Sequence, residues 1–460
     1  MSTVNSIDFV YLISAVLFML GIKNLSSPAT AKLGNKLSMA GMFVAIAATL
    51  ASPDMSGYTM IIIAVAIGAV IGGYAAVKVE MTSMPEMVAL FNGCGGAASA
   101  LVAMAEFFGH TGGFAGFTMI TLLLSVIIGG LTFTGSIIAY TKLQGIISTR
   151  PITYPFQQIV NAGIVLLTLA LAYMVFQNPD NSFAFVVIII LSLGLGVLAV
   201  IPIGGADMPV IVSLLNSYSG LAVSMTGFAL NNNALIIVGS LVGASGLFLT
   251  KIMCDAMNRS LANVLFGAFG AIDDSVAEEG EGPTGSMKGF EVEDVAIAVE
   301  NAESVIIVPG YGMAAAQAQH VTRELGDFLV EEGIEVRYAI HSVAGRMPGH
   351  MNVLLAEADV SYDLLYAMED INDDFSTTDV VLVIGANDVV NPAAKTNPGS
   401  PIYGMPVLNV EEARTVVVLK RSMNVGFAGI ENELFYKDNT MMLFGDAKDS
   451  IQKLLAALKE

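Results

Sequence analysis

Ser304-Val305-Ile306-Ile307-Val308-Pro309-Gly310-Tyr311-Gly312-Met313-Ala314-Ala315 decides the fold of the C-terminal part. Six residues rich in β-branched side chains read as a buried strand. Gly310-x-Gly312-x-x-Ala315 follows at once, and then a helical run continues to about Glu332. Strand, glycine turn and helix in this order form the dinucleotide fingerprint. The glycines permit a tight turn and let backbone approach a pyrophosphate at the helix N-terminus. A tight turn with no ligand would show the same letters. Further strands are expected at 334–340, 379–385, 405–410 and 415–420, with a last helix near 446–459. That alternation predicts an α/β Rossmann-like domain with a parallel sheet.

An NAD site places Asp or Glu after the second strand to hold the ribose 2′-hydroxyl. Here that strand ends in Ala339-Ile340-His341-Ser342-Val343-Ala344-Gly345-Arg346, with no carboxylate. Another strand ends in Lys420-Arg421-Ser422. Adjacent cations at a strand end suit a 2′-phosphate, so NADP is favoured over NAD. A solvated Lys-Arg pair is the plain alternative.

Outside this domain the chain is a different material. Of 460 residues, 55% are hydrophobic and 13% charged, yet the net charge is −20. A soluble domain carries about a quarter charged residues, and an excess of acid over base excludes a basic nucleic-acid binder. The first 260 residues contain eight Lys/Arg and eight Asp/Glu, so the whole excess lies in the remainder. Nine apolar segments, near 7–22, 38–52, 59–77, 85–106, 117–140, 159–177, 183–203, 208–230 and 234–254, are long enough or nearly so to cross a bilayer. The expected domains are a transmembrane bundle of about nine helices over 1–260, an acidic Gly-rich linker over 261–290, and a nucleotide-binding domain over 291–460. Lys23, Lys32, Lys36, Lys78, Lys142, Arg150, Lys251 and Arg259 all fall on one side of that bundle. The positive-inside rule makes that side cytoplasmic, with the N-terminus outside and the C-terminal domain inside. No cleavable signal is evident. Cys94 and Cys254 lie far apart in apolar stretches, without zinc spacing, so neither disulfide nor metal is expected.

Polar residues at membrane depth are costly and often functional. Asn92 and Asn216 each lie about 10–12 Å from the cytoplasmic side at 1.5 Å per residue, so they can share a layer. Ser245 reaches a similar depth on the ninth span. For each, an interhelical hydrogen bond is an equal alternative. Asp207 sits in the short turn Gly204-Gly205-Ala206-Asp207-Met208-Pro209, either as a solvated turn residue or as a coupling carboxylate. No span contains histidine, so the bundle lacks an imidazole to carry protons.

The runs GGADMPVIVSLLNSYSG (204–220), VPGYGMAAAQAQ (308–319), HSVAGRMPGHMNVLLAEA (341–358), EDINDDF (369–375), VIGANDVVNPAA (383–394), KRSMNVGFAG (420–429) and LFGDAK (443–448) closely resemble the beta subunits of proton-translocating NAD(P) transhydrogenases. The resemblance covers essentially the whole chain. It implies reversible hydride transfer between NAD(H) and NADP(H), coupled to proton translocation across a bacterial inner membrane. NADP(H) is then bound on this chain, in a pose reversed from the usual Rossmann one. NAD(H) is bound on an alpha subunit that adds membrane helices, and the whole assembly is a dimer. Carried over by motif, the cofactor contacts are Gly310, Tyr311, Gly312, Met313 and Ala315; Val343, Ala344, Gly345, Arg346, Met347 and Pro348; and Gly385, Ala386, Asn387, Asp388 and Val389. They continue with Gly404 and Met405; Lys420, Arg421 and Ser422 on the 2′-phosphate; Met423, Asn424, Val425, Gly426 and Phe427; and Asp446 and Ala447. Asp388 resembles the family's acidic residue near the nicotinamide and, with Asn92, Asp207, Asn216 and Ser245, is expected in proton coupling. No residue is expected to catalyse hydride transfer itself. The protein must bring two nicotinamides within about 3–3.5 Å. Many relatives have histidine in place of Asn92, and here a histidine of the partner's membrane helix is expected to replace it. Phe427 stands where relatives have tyrosine, which removes one hydroxyl contact. An ion channel or transporter regulated by a dinucleotide-sensing domain is the rival class.

Overall fold

A computed structural model describes residues 3–25, 28–52, 57–79, 83–109, 114, 116–149, 151–266, 287–347, 349–398, 400, 402–422, 424–426 and 428–460. The chain divides into two compact units, Met1–Thr250 and Lys251–Glu460.

Among the described residues, nine helices are long and apolar enough to cross a membrane. They are α1 (Thr3–Leu25), α2 (Pro28–Leu50), α3 (Tyr58–Lys78), α4 (Met84–Gly109), α5 (Gly116–Leu143), α6 (Gln157–Gln177), α7 (Ser182–Val200), α8 (Met208–Ala229) and α9 (Asn233–Ala256). The chain is a multi-pass membrane protein. α2 starts ten residues before the apolar segment expected at 38–52, because Pro28 supplies a preset first turn and Lys32 and Lys36 ride on the helix. Asn181 caps α7, its side chain accepting from the Ala184 N–H at 3.1 Å. α5 and α8 form the buried centre, whereas none of α3's described residues is buried. Close approach comes from small residues. A Cβ on Gly129 would lie 2.6 Å from the Gly96 carbonyl oxygen, and one on Gly220 would lie 2.3 Å from the Gly243 nitrogen. Helices in lipid associate through such backbone contact.

In the second unit six parallel strands take the order β3-β2-β1-β4-β5-β6. These are β1 (Ser304–Pro309), β2 (Glu335–Ile340), β3 (Leu365–Ala367), β4 (Val380–Ile384), β5 (Thr415–Lys420) and β6 (Thr440–Phe444). The helices, continuing from α10 (Leu261–Phe266), are α11 (Val292–Glu300), α12 (Tyr311–Ala315), α13 (Gln319–Glu331), α14 (His350–Glu357), α15 (Met368–Ile371), α16 (Ala393–Thr396) and α17 (Ala447–Leu458). β1 and β4 are continuous apolar runs because the sheet is covered on both faces. Their N-terminal ends are pinned by Asp379, whose Oδ2 accepts from the backbone N–H of Glu303 and of Ser304.

Three local expectations change. Residues 405–410 form no strand. Pro406 has no N–H, the Leu408 N–H donates to the Val389 carbonyl, and the Val407 carbonyl accepts from Asn372 Nδ2, so the backbone serves loop contacts rather than a ladder. Two strands that were not expected, β3 and β6, complete the sheet, and the TMMLF sequence of β6 lacks the β-branched signal except at Thr440. The helical run after the glycine turn breaks at 316–318, where Gln317 has φ +49°, leaving α12 only five residues long.

Candidate functional site

This strand order carries its topological switch between β1 and β4, and in open α/β sheets the crevice beyond those carboxyl ends takes the ligand. Here two loop backbones touch. The Gly310 N–H donates to the Ile384 carbonyl at 2.9 Å, and the Gly312 N–H donates to the Gly385 carbonyl at 2.9 Å. A Cβ on Gly310 would stand 2.4 Å from Ala386 Cα, and one on Gly312 2.6 Å from Gly385 Cα. Gly385 itself has φ +65°. Only glycine satisfies these positions. Met313 points into the core, and Ala315 is exposed.

The loop after β2 is held by two imidazoles. His341 Nδ1 accepts from the Val343 N–H (3.2 Å), so its Nε2 carries hydrogen and donates to the Pro406 carbonyl (2.7 Å). That ring joins the β2 loop to the segment bearing Gly404, at φ +78°, and the buried Met405. Burial pushes the His341 imidazole below its ordinary pKa, against an opposing pull from the Pro406 bond and Glu369. His350 Nδ1 accepts from the Arg346 N–H (3.0 Å), and burial followed by the Arg346 charge pushes this imidazole down to about 4. Both rings are therefore neutral at pH 7 and serve as fixed struts. Gly345 has no room for a side chain, since a Cβ there would meet His350 Nδ1 at 2.5 Å. The Arg346 guanidinium lies 4.3 Å over the Tyr311 ring, a cation–π contact that draws the β1 and β2 loops together.

On the other side, a strap of residues 424–426 and 428–432 is tied to the β4 loop. Asp388 Oδ2 accepts from the Ala428 N–H at 3.0 Å. Asn432 Nδ2 donates to the Asn387 carbonyl, and Asn391 Nδ2 donates to the Glu431 carbonyl, each at 3.0 Å. Gly426 passes so close that a Cβ would meet Asp388 Oδ1 at 2.4 Å. Ala386 and Val389 are buried in the core below. Lys420 ends β5 with its Nζ 4.5 Å from the Phe435 ring centroid. Burial lowers the pKa of this ammonium, and Asp388 works against that shift. Arg421, Ser422, Asn424 and Val425 are exposed beyond it. Asp446 caps α17 by accepting from the Lys448 and Asp449 N–H groups, and Ala447 is buried behind it.

The five loops at the sheet's carboxyl edge thus collect the residues expected around a dinucleotide. Pro348, Met423 and Phe427 lie outside the described residues, as do Arg150 and most of the expected linker. Asn391 and Asn432 were not legible in the sequence. Asparagines that bond backbone 40 and 45 residues away leave no local spacing signal.

In the membrane unit, Asn92 on α4 donates from Nδ2 to the Val212 carbonyl of α8 at 3.2 Å, and Ser219 Oγ of α8 donates to the Asn92 carbonyl at 2.9 Å. Val212 is one helical turn before Asn216 on α8. Ser245 does not join them. It is exposed on α9, and its hydroxyl donates to the Leu241 carbonyl of its own helix. Asp207 ends the 3₁₀ turn Gly205–Asp207 and is 8% exposed, so it is not a solvated turn residue.

Two charges escaped the sequence reading. Glu86, on α4 six positions before Asn92, is buried. Lys142, expected in a loop after the fifth span, is fully buried in the last turn of α5. A carboxylate inside an apolar segment, one of two in α4 with Glu106, was the available signal for Glu86. For Lys142 the span boundary hid it.

Comparison with known proteins bears on both units. The family model described as NAD(P) transhydrogenase beta subunit matches residues 7–457. Two proteins named NAD(P) transhydrogenase subunit beta, from Rhodospirillum rubrum, are each 50% identical over 455 residues, covering 97% of this chain and 98% of the relative.

Proposed function

Because this chain belongs to the NAD(P) transhydrogenase beta subunit family, we propose that it holds NADP(H) above β1 and β4 and couples hydride transfer to proton movement. The family's activity is oxidoreduction between nicotinamide dinucleotides. A match running through both units favours that activity over a channel or transporter with a sensing domain. A separate alpha subunit supplies NAD(H) and further membrane helices, and the assembly pairs as a dimer.

The observation that carries the cofactor choice is the pair Lys420-Arg421 at a cleft whose β2 loop has no carboxylate from His341 to Met347. The glycine contact at 310, 312 and 385 fits the close approach of a dinucleotide backbone. Bound NADP(H) supplies the hydride donor or acceptor at its nicotinamide, so no side-chain nucleophile is required. Lys420, Arg421 and Ser422 hold the 2′-phosphate. Tyr311 and Arg346 close one side, and the 424–432 strap, tied to Asp388, closes the other and excludes water. Asp388 lies toward the reacting end, where its charge biases the strap between open and closed positions.

Asn92 and Asn216 form a layer that orients water but cannot titrate. A histidine of the partner's membrane helix supplies the missing imidazole, and Asp207 relays the resulting charge state. The excess of basic residues on one side of the spans favours a C-terminal unit in the cytoplasm of a bacterium, with the N-terminus outside. Asp207→Asn is expected to lower proton-coupled turnover at least about tenfold, a loss of about 1.4 kcal/mol, with NADP affinity unchanged. Turnover and NADP titration on the purified complex check this, and unaltered coupled turnover removes Asp207 from the path.

A further inference from the structure

A lysine ammonium withdrawn from water needs oxygen acceptors for its N–H groups. Lys142 is 0% exposed, and its Nζ donates to the carbonyls of Ile201 at 2.6 Å and Ile203 at 2.7 Å. Those carbonyls follow the last turn of α7, where helix geometry leaves acceptors unfilled and the backbone dipole favours a cation. Backbone groups of Thr149 and Ile152 bind the same stretch. The Gly205 N–H donates to the Thr149 carbonyl at 2.8 Å, and the Ile152 N–H donates to the Ile201 carbonyl at 3.3 Å. Gly205 is held so closely that a Cβ would meet Thr149 Cβ at 3.1 Å. The chain then makes one 3₁₀ turn, with the Asp207 N–H on the Gly204 carbonyl at 3.1 Å, and delivers buried Asp207 at the start of α8. A buried ammonium and the backbone bonds from Gly205 and Ile152 therefore help to hold the turn that carries the carboxylate.

We propose that Lys142 is a positioning residue for Asp207, its ammonium fixing the 201–207 turn through the Ile201 and Ile203 carbonyls. This rests on the reading of Asp207 as a coupling carboxylate. Other groups in the bundle bury charge or span helices, but Lys142 alone among the described residues joins α5 to the two carbonyls preceding that turn.

The test is a double-mutant cycle on the complete enzyme with its alpha partner, using Lys142→Met, Asp207→Asn and the double variant. Two rates are measured for each. One is proton-coupled transfer from NADPH to an NAD analogue. The other is exchange between NADH and that analogue through NADP(H) retained on the enzyme, which moves no net proton. Lys142→Met is expected to lower coupled transfer about tenfold or more, keep exchange and the KM for NADPH within about twofold, and add nothing to Asp207→Asn in the double variant. Retained exchange shows that the variant is folded. If Lys142→Met does not assemble, Lys142→Gln enters the same cycle. Coupled transfer unchanged by the Lys142 substitution, exchange lowered as much as coupled transfer, or losses that multiply in the double variant would each overturn the proposal. Unchanged coupled transfer in Asp207→Asn alone sinks the underlying reading instead.

Discussion

Replacing Lys420 and Arg421 together with alanine is expected to weaken NADP(H) binding by about a hundredfold or more and to leave NAD(H) binding unchanged. A hydrogen bond from a charged group contributes about 1.5–3 kcal/mol, and about 1.4 kcal/mol is a factor of ten. Two cations on one phosphate would reach the upper part of that range only if both were desolvated. Lys420 is half-buried against Phe435, but Arg421 is exposed, which places the total near the lower end, at about 3 kcal/mol. The 2′-phosphate is the only group that distinguishes the two cofactors. Equilibrium titration with each of them therefore reads the contact directly, and equal losses for both would assign the pair to the surface instead. Raising salt should weaken the wild-type affinity more than that of the double variant, because screening acts on the charges removed.

Gly312→Ala is expected to remove detectable NADP(H) binding and lower the thermal midpoint of the nucleotide-binding unit by several degrees. The added Cβ would lie 2.6 Å from Gly385 Cα and 3.2 Å from its carbonyl oxygen. Both are backbone atoms, so no rotamer change relieves the clash. Overpacking of this kind costs about 1–3 kcal/mol, and the relief available is separation of the β1 and β4 loops, which opens the switch point itself. Gly289→Ala is the matched control, since a Cβ there meets only Phe444, at 4.0 Å. Calorimetry and NADP titration on both variants separate the two positions. Binding retained in Gly312→Ala would show that close backbone contact is not required.

Much of this was legible in the chain itself, and the reasons are local. The SVIIVPGYGMAA stretch states strand, turn and helix start by composition alone. Charge distribution separated the two materials. Where the sequence misled, long-range geometry had taken over. Pro406 to Val410 looks like a strand but is held by Asn372, His341 and Val389 in a loop. β6 holds two methionines and a leucine, and pairing with β5 rather than propensity makes it a strand. Lys142 read as a loop charge because the apolar segment ended before it, yet two carbonyls that follow α7 accept from its ammonium inside the bundle. For Asn92 an interhelical hydrogen bond was one of two readings, and its side chain does bond the Val212 carbonyl of α8. Ser245 had the right depth but the wrong face, and depth alone cannot choose a face.

The most direct measurement reconstitutes this chain with its alpha partner in sealed vesicles and records hydride transfer and internal pH together. With NADPH and an NAD analogue outside, hydride transfer should change the internal pH in proportion to turnover. A protonophore should abolish the pH change and accelerate the transfer. NADP(H) bound without hydride exchange, or exchange at full rate with the internal pH constant and no response to the protonophore, would contradict it.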